Sequence, residues 1–233
     1  MADPDPLADA VRAALAAGGD PERAVQQQAY MKSELPFRGY SSPELKALLR
    51  PLLAAYRPSG RDGWEATVRA LWDDATHREE RYAALAIARH RRARAWLAPE
   101  SVPLFRHLVV TGAWWDLVDE IAQHLVGRSL AAHRAELTPV LRSWASDDDL
   151  WVRRTAVLCQ LGQRDGTDTD LLRHAIDANV DDGTFWLRKA IGWALRDFAR
   201  TDPAWVRAEV ARHGDRLSGL SRREALKHLG AVE

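Results

Sequence analysis

The chain has 233 residues, 33 basic against 33 acidic side chains, a formal net charge of zero and 46% apolar residues. This length suits one large domain or two small ones with a sizeable core, and charge neutrality argues against a uniformly basic nucleic-acid binder. The lone Cys159 excludes a disulfide framework or a cysteine-based zinc site, and no run reaches the ~18 apolar residues of a membrane span.

The elements read in chain order as helices. Leu7 to Ala17 forms the first, stopped by Gly18-Gly19, and Pro21 starts a second that runs through Gln26-Gln27-Gln28 to Tyr30 and Lys32. Ser41-Ser42-Pro43-Glu44 predicts an N-cap followed by proline and an acid in the first turn. The helix after it carries Leu45, Leu48, Leu49, Leu52 and Leu53 at helical spacing and ends near Tyr56. Further helices follow over Trp64 to Trp72, Glu79 to His90, Pro103 to Val110, a helix from Trp114, Thr138 to Trp144 and Leu150 to Leu161. Asp168 to Ala178, Thr184 to Ala199, a helix from Asp202-Pro203, and Leu220 to Leu229 complete the chain. No strand pattern occurs and no linker interrupts the series, so the expectation is a single domain over residues 1–233. Met1 to Pro6 is acidic, carries two prolines and lacks the shape of a signal peptide. The expected setting is soluble and cytoplasmic.

A repeat organises these helices. Lys46, Arg81, Asp119, Arg154, Arg188 and Arg223 are separated by 35, 38, 35, 34 and 35 residues. The residues after them match: Arg81-Tyr82-Ala83, Arg154-Thr155-Ala156, Arg188-Lys189-Ala190, Arg223-Glu224-Ala225. Such a period predicts an α-solenoid of about six stacked helical pairs, each burying its apolar face on its neighbours. Five slots hold cations and one holds an acid, and a local rule broken once marks a candidate functional position.

Two constellations stand out. Trp115 and Asp119, four apart, share one helix face beside an apolar arc of Leu117, Val118, Ile121, Ala122, Leu125 and Val126, with Trp114 packed inward. Asp119 is either a structural acid paired with a slot arginine such as Arg154 or a functional carboxylate. Trp186, Lys189, Trp193 and Arg196 fall on one face of a later helix, an arrangement suited either to phosphates and rings or to a tryptophan packed under cationic stems. Trp64, Trp72, Trp96, Trp144 and Trp205 are assigned to packing, and Cys159 to a buried, inert thiol. The histidines, His107, His124 and His133 among them, suggest no metal site. No glycine-rich phosphate loop and no GxSxG motif is present. Any polyanion must then be held by slot cations and helix N-termini.

Trp114-Trp115-Asp116-Leu117-Val118-Asp119, Trp151-Val152-Arg153-Arg154 and Lys189-Ala190-Ile191-Gly192-Trp193-Ala194-Leu195-Arg196 resemble the AlkD family of DNA alkylation-repair glycosylases. So do Ala29-Tyr30-Met31-Lys32 and Ser221-Arg222-Arg223-Glu224-Ala225-Leu226-Lys227-His228, which extends the resemblance from about Tyr30 to His228. It implies HEAT-like helical repeats with a concave DNA-binding face. It also implies excision of positively charged N3- and N7-alkylated purines from duplex DNA, without flipping the base into a pocket. Asp119, Trp115 and Trp193 match that family's catalytic residues, and Tyr30, Arg154 and Arg196 its DNA-contacting or site-lining positions. With the slot row, Lys46, Arg81, Arg188, Lys189 and Arg223 join the expected DNA-binding set. The implied enzyme is a monofunctional hydrolase of base excision repair, a monomer with no cofactor. No lysine beside the Trp115–Asp119 face suggests a lyase step. The alternatives are a non-catalytic repeat protein that binds damaged or branched DNA, and a HEAT scaffold for a protein partner.

Overall fold

A computed structural model describes residues 6–230 and is helical throughout, with no strand among the described residues. The acidic start at Met1 to Asp5 lies outside the described residues. No described helix is long and apolar enough to cross a membrane. The chain falls into two compact units, Met1–Trp96 and Leu97–Glu233.

The first unit contains α1 (Leu7–Ala16), α2 (Pro21–Met31), α3 (Ser42–Ala55), α4 (Arg61–Asp73), α5 (Arg78–Ala88) and a 3-10 turn at Arg91–Trp96. Short polar side chains start two of these helices, the one at Ser41 as the sequence predicts. Asp20 accepts from the amides of Glu22 and Arg23, and Ser41 and Glu44 form a reciprocal capping box. Val11, Leu15, Trp64, Val68, Leu71 and Trp72, all fully buried, are the core where α1, α4 and α5 meet. α2 buries no residue completely. It is held instead by polar contacts: Gln27 donates to the Tyr40 carbonyl at 2.9 Å, and Arg23 pairs with Glu44. Glu79, 1% exposed, accepts from the amides of Arg38 and Gly39 at 2.9 and 3.0 Å and so fixes the loop before α3.

The second unit contains α6 (Val102–Gly112), α7 (Trp115–Ile121), a π turn at Ala122–Val126 and α8 (Gly127–Ala132). After these come α9 (Arg134–Trp144), α10 (Leu150–Leu158), α11 (Thr169–Asp177), α12 (Phe185–Phe198), α13 (Pro203–His213) and α14 (Gly219–Leu226). α10 lies at the centre, with seven of its nine residues buried, and packs against α6, α7, α9, α11 and α12. α14 covers α12.

The period in the sequence is physical. Each of the six slot residues is the fourth or fifth residue of its helix, on α3, α5, α7, α10, α12 and α14. In the second unit, polar contacts join positions one repeat apart: Arg154 to Asp119, Lys189 to Glu224, Arg212 to Asp177 and Arg216 to Asp181, all 35 residues apart, and Arg173 to Glu209, 36 apart. Stacked helical pairs bring equivalent positions into register, which is why a fixed spacing becomes a ladder of bridges.

Two helical glycines of the second unit permit close approaches between elements. A Cβ at Gly127 would lie 2.2 Å from the Cys159 carbonyl oxygen, where the π turn passes into α8 against the end of α10. A Cβ at Gly192 would lie 2.6 Å from Glu224 Cβ and 3.0 Å from Ser221 Cα, so α14 seats on α12 only because position 192 lacks a side chain. Gly192→Ala is therefore expected to lower stability by about 1–3 kcal/mol through overpacking, read as a fall of several degrees in Tm. An unchanged Tm would show that the α12–α14 contact is loose.

Candidate active site

The site is assembled on α7, α10 and α12. Ala113 ends α6 in the left-handed region at φ 34°, and Trp114 is extended at φ −153°. This reversal starts α7 at Trp115 and places Asp119 one turn further on the same face. Trp114 is thus a capping residue, outside the helix and half-buried. Its ring meets Trp186 edge-on at 5.3 Å and Trp151 at 6.0 Å, and Trp151 meets Trp186 at 5.6 Å. The exposed Phe185 packs edge-on against Trp186 at 5.1 Å. The indole Nε1 of Trp114 is buried without a hydrogen-bond partner among the described residues.

Arg154 joins this aromatic cluster to Asp119. Its Nε donates to Asp119 Oδ1 at 2.8 Å, its Nη2 to Oδ2 at 2.9 Å and its Nη1 to the Trp186 carbonyl at 2.5 Å. The guanidinium carbon lies 5.9 Å from the centre of the Trp186 ring. The Arg154 side chain is 3% exposed and that of Asp119 13%, so the pair is fork-to-fork and largely desolvated. Burial pushes the Asp119 carboxyl above its ordinary range, while the hydrogen bonds and charge of Arg154 pull it partly back. The pairing with Arg154 that the sequence allowed for Asp119 is what the structure contains. Arg154 turns all three of its donor nitrogens inward.

The other predicted residues lie on other elements or further along α12. Trp193 is half-buried on α12, seven residues after Trp186. Lys189 and Arg196 both bind Glu224 of α14, Lys189 at 2.7 Å. These three charges leave a net of one positive, and they hold Glu224 below the usual carboxylate range, first through the Lys189 hydrogen bond. Arg188 and Arg223 are exposed and form no ion pair among the described residues. In the first unit, Lys46 is exposed, Tyr30 is 75% exposed, and Arg81 is half-buried with its guanidinium 5.1 Å from the Trp72 ring.

Sequence reasoning overlooked three things here. Glu224 binds two predicted DNA contacts, and its position 35 residues after Lys189 was the available signal. Trp186 supplies a backbone carbonyl, which no side-chain pattern reveals. Glu209 and His213, one turn apart, gather with Asp177 so that their ligand atoms lie within 4.8 Å of one another. Arg212 Nη2 occupies that cluster, 2.5 Å from Asp177 and 3.0 Å from His213 Nε2, and Arg173 binds Glu209 at 3.0 Å, so two guanidinium groups already balance the two carboxylates. Cys159 is fully buried and its thiol is pushed up to about 12 by that burial, which removes it as a nucleophile.

The fold and this site define a class: an all-helical repeat protein whose slot acid is buried on an arginine among tryptophans. The family model for DNA alkylation repair enzymes matches residues 11–229, and the chain belongs to that AlkD-like family. Among solved structures, one described as a predicted DNA alkylation repair enzyme from Enterococcus faecalis is 30% identical. The alignment covers 92% of this chain and 98% of that one, with a TM-score of 0.83. Comparison with curated proteins finds no match.

Removing one member of a buried ion pair leaves the other charged and unpaired, at a cost of about 3–5 kcal/mol. Arg154→Ala is expected to lower stability by that order, and adding Asp119→Ala to recover part of the loss. A cost below ~1 kcal/mol for Arg154→Ala would mean that the pair is exposed in solution.

Proposed function

We propose that this protein is a monofunctional DNA glycosylase that hydrolyses the N-glycosidic bond of N3- and N7-alkylated purines in duplex DNA, with Asp119 as the catalytic carboxylate. The observation that carries this is the bidentate Asp119–Arg154 pair, held at 2.8 and 2.9 Å beside Trp115 in a chain of the DNA alkylation repair family.

Alkylation at N3 or N7 makes the purine a cationic leaving group, so the reaction asks little of a general acid. Charge develops instead on the deoxyribose as the bond breaks, and a fixed carboxylate stabilises it electrostatically. Each oxygen of Asp119 gives one lone-pair direction to Arg154 and keeps another for the sugar or an attacking water. Arg154 thereby orients the carboxylate and supports its ionised form against burial. In this reading it is a positioning residue rather than a phosphate contact. Trp115 and Trp193 offer aromatic faces to the cationic sugar, each worth about 0.5–2 kcal/mol. In this reading the exposed Lys46 of the first unit and the exposed Arg188 and Arg223 of the second are the slot cations that meet phosphates, and Tyr30 and Arg81 are further contacts from the first unit. Lys189 and Arg196 contribute through the net positive charge they share with Glu224. In this reading HEAT-like repeats hold the DNA backbone while the lesion stays stacked.

A second reading, a non-catalytic binder of damaged DNA, is favoured by one observation: both oxygens of Asp119 already accept from Arg154. The two readings separate on release of N7-methylguanine or N3-methyladenine from methylated duplex DNA under single turnover. We expect release by the wild type and a loss on the order of 100-fold in Asp119→Asn, the scale of removing one preorganised electrostatic group, with DNA binding retained. Equal release by both proteins would remove Asp119 from the chemistry, and no release by the wild type would favour the binder. The acidic limb gives an independent check. The carboxylate must be ionised and its pKa is raised, so excision should fall at a pH above the ~3.9 of a free aspartate. That limb should vanish in Asp119→Asn.

A further inference from the structure

The row of slot cations is not the most concentrated positive charge in the chain. Arg89-His90-Arg91-Arg92-Ala93-Arg94 follows the end of α5 with no acid in the run. The 3-10 turn Arg91–Trp96 is anchored on one side: Ala93 is fully buried, and Trp96 packs on Trp64 at 5.8 Å. In a 3-10 helix, side chains three apart eclipse. Anchoring 93 and 96 therefore turns Arg91 and Arg94 together onto another edge, and Arg91, Arg92 and Arg94 are all exposed. Arg57, at the end of α3, approaches from the adjacent element. Tyr56 meets the His90 ring at 5.7 Å, and His90 is held below its ordinary value first by burial and then by the charges of Arg91, Arg92 and Arg57.

Structural duties do not account for this cluster. Arg57 does cap a helix end, donating to the carbonyls of Ala54 and Tyr56 at 2.7 and 2.9 Å. The side chains of Arg91, Arg92 and Arg94 have no such bond, and none of the four arginines forms an ion pair among the described residues. Elsewhere the chain pairs its cations freely, as Arg106 with Asp147, Arg153 with Asp182 and Arg216 with Asp181 show. Like charges are thus gathered without counterions on a pre-formed edge, the requirement for binding a polyanion. The exposed large apolar residues among those described are Val25, Tyr30 and Phe185, none of them in the cluster. A membrane surface would call for apolar side chains beside the cations, which leaves a phosphodiester backbone as the fitting partner.

We propose that Arg57, Arg91, Arg92 and Arg94 form a phosphate-binding surface for the backbone of duplex DNA, outside the 35-residue slot row. The identity of the partner rests on the DNA-directed function proposed above. The test compares full-length wild type, the triple variant R91Q/R92Q/R94Q and a matched triple variant R50Q/R128Q/R200Q, which removes three exposed arginines elsewhere. Kd for an undamaged fluorescent duplex is measured by anisotropy across a salt series. Each phosphate contact contributes about 0.9 to the slope of log Kd against log salt. The cluster variant should therefore lose about 2–3 from that slope, and the matched variant clearly less. Equal losses in both would reduce the effect to net charge and overturn the proposal, as would an unchanged slope in the cluster variant. Loss of binding to phosphatidylserine vesicles with DNA binding intact would overturn it in favour of lipid. Release of alkylated base is measured on the same proteins. A wild type that binds DNA through the cluster but releases nothing would refute the glycosylase and leave this surface standing. Release with no change of slope would do the reverse. All six positions are exposed, so an unchanged Tm certifies each variant as folded.

Discussion

The second unit depends on a carboxylate that is nearly out of water. Asp119 occupies a position where every equivalent residue in the chain is a cation, and Arg154, its neighbour one repeat on, closes both nitrogens of its fork over it. Burying either charge alone costs several kcal/mol, whereas the bidentate pair offsets most of that penalty. The consequence spreads outward. Arg154 needs an acceptor for its remaining nitrogen and finds the Trp186 carbonyl, which ties the start of α12 to α10. Trp186 then packs with Trp114 and Trp151, and Trp114 sits where the chain reverses into α7. One ion pair thus fixes the entry to α7, the centre of α10 and the start of α12, all of which carry residues of the proposed site.

The helical repeat was legible because its signal is periodic. The spacing of Asp119, Arg154, Arg188 and Arg223 reappears as equivalent levels on α7, α10, α12 and α14. The cap at Ser41 is local chemistry and falls where the sequence places it. Asp119 was legible as an exception, and Arg154 as its potential partner. What escaped was non-local or carried by the backbone. The π turn at Ala122–Val126 has no side-chain signature, and it arises where Gly127 lets the helix approach Cys159. Trp114 leaves the helix because Ala113 adopts a left-handed conformation, which an alanine does not advertise. The pairing of Lys189 and Arg196 with Glu224 requires α14 to lie on α12. Both cations and the acid stand in the sequence, but their contact exists only in the fold.

Charge distribution resolves the apparent conflict between a neutral chain and a polyanionic substrate. Most acids are consumed internally: Asp20 and Glu44 at helix starts, Glu79 and Glu80 in the first unit's interior, and Asp177, Asp181 and Glu209 in the bridges between repeats. The cations without an ion pair among the described residues are fewer than the total but exposed, among them Lys46, Arg188, Arg223, Arg91, Arg92 and Arg94. Net charge counts both populations equally, whereas a phosphate backbone meets only the second.

A double-mutant cycle in single-turnover excision tests most directly whether Arg154 acts through Asp119, as proposed, rather than on DNA. Rates are measured for wild type, Asp119→Asn, Arg154→Gln and the double variant, with folding checked for each. If Arg154 only positions the carboxylate, the double variant is no slower than Asp119→Asn alone, because nothing remains to be positioned. Losses that multiply would contradict this account and place Arg154 on the substrate independently.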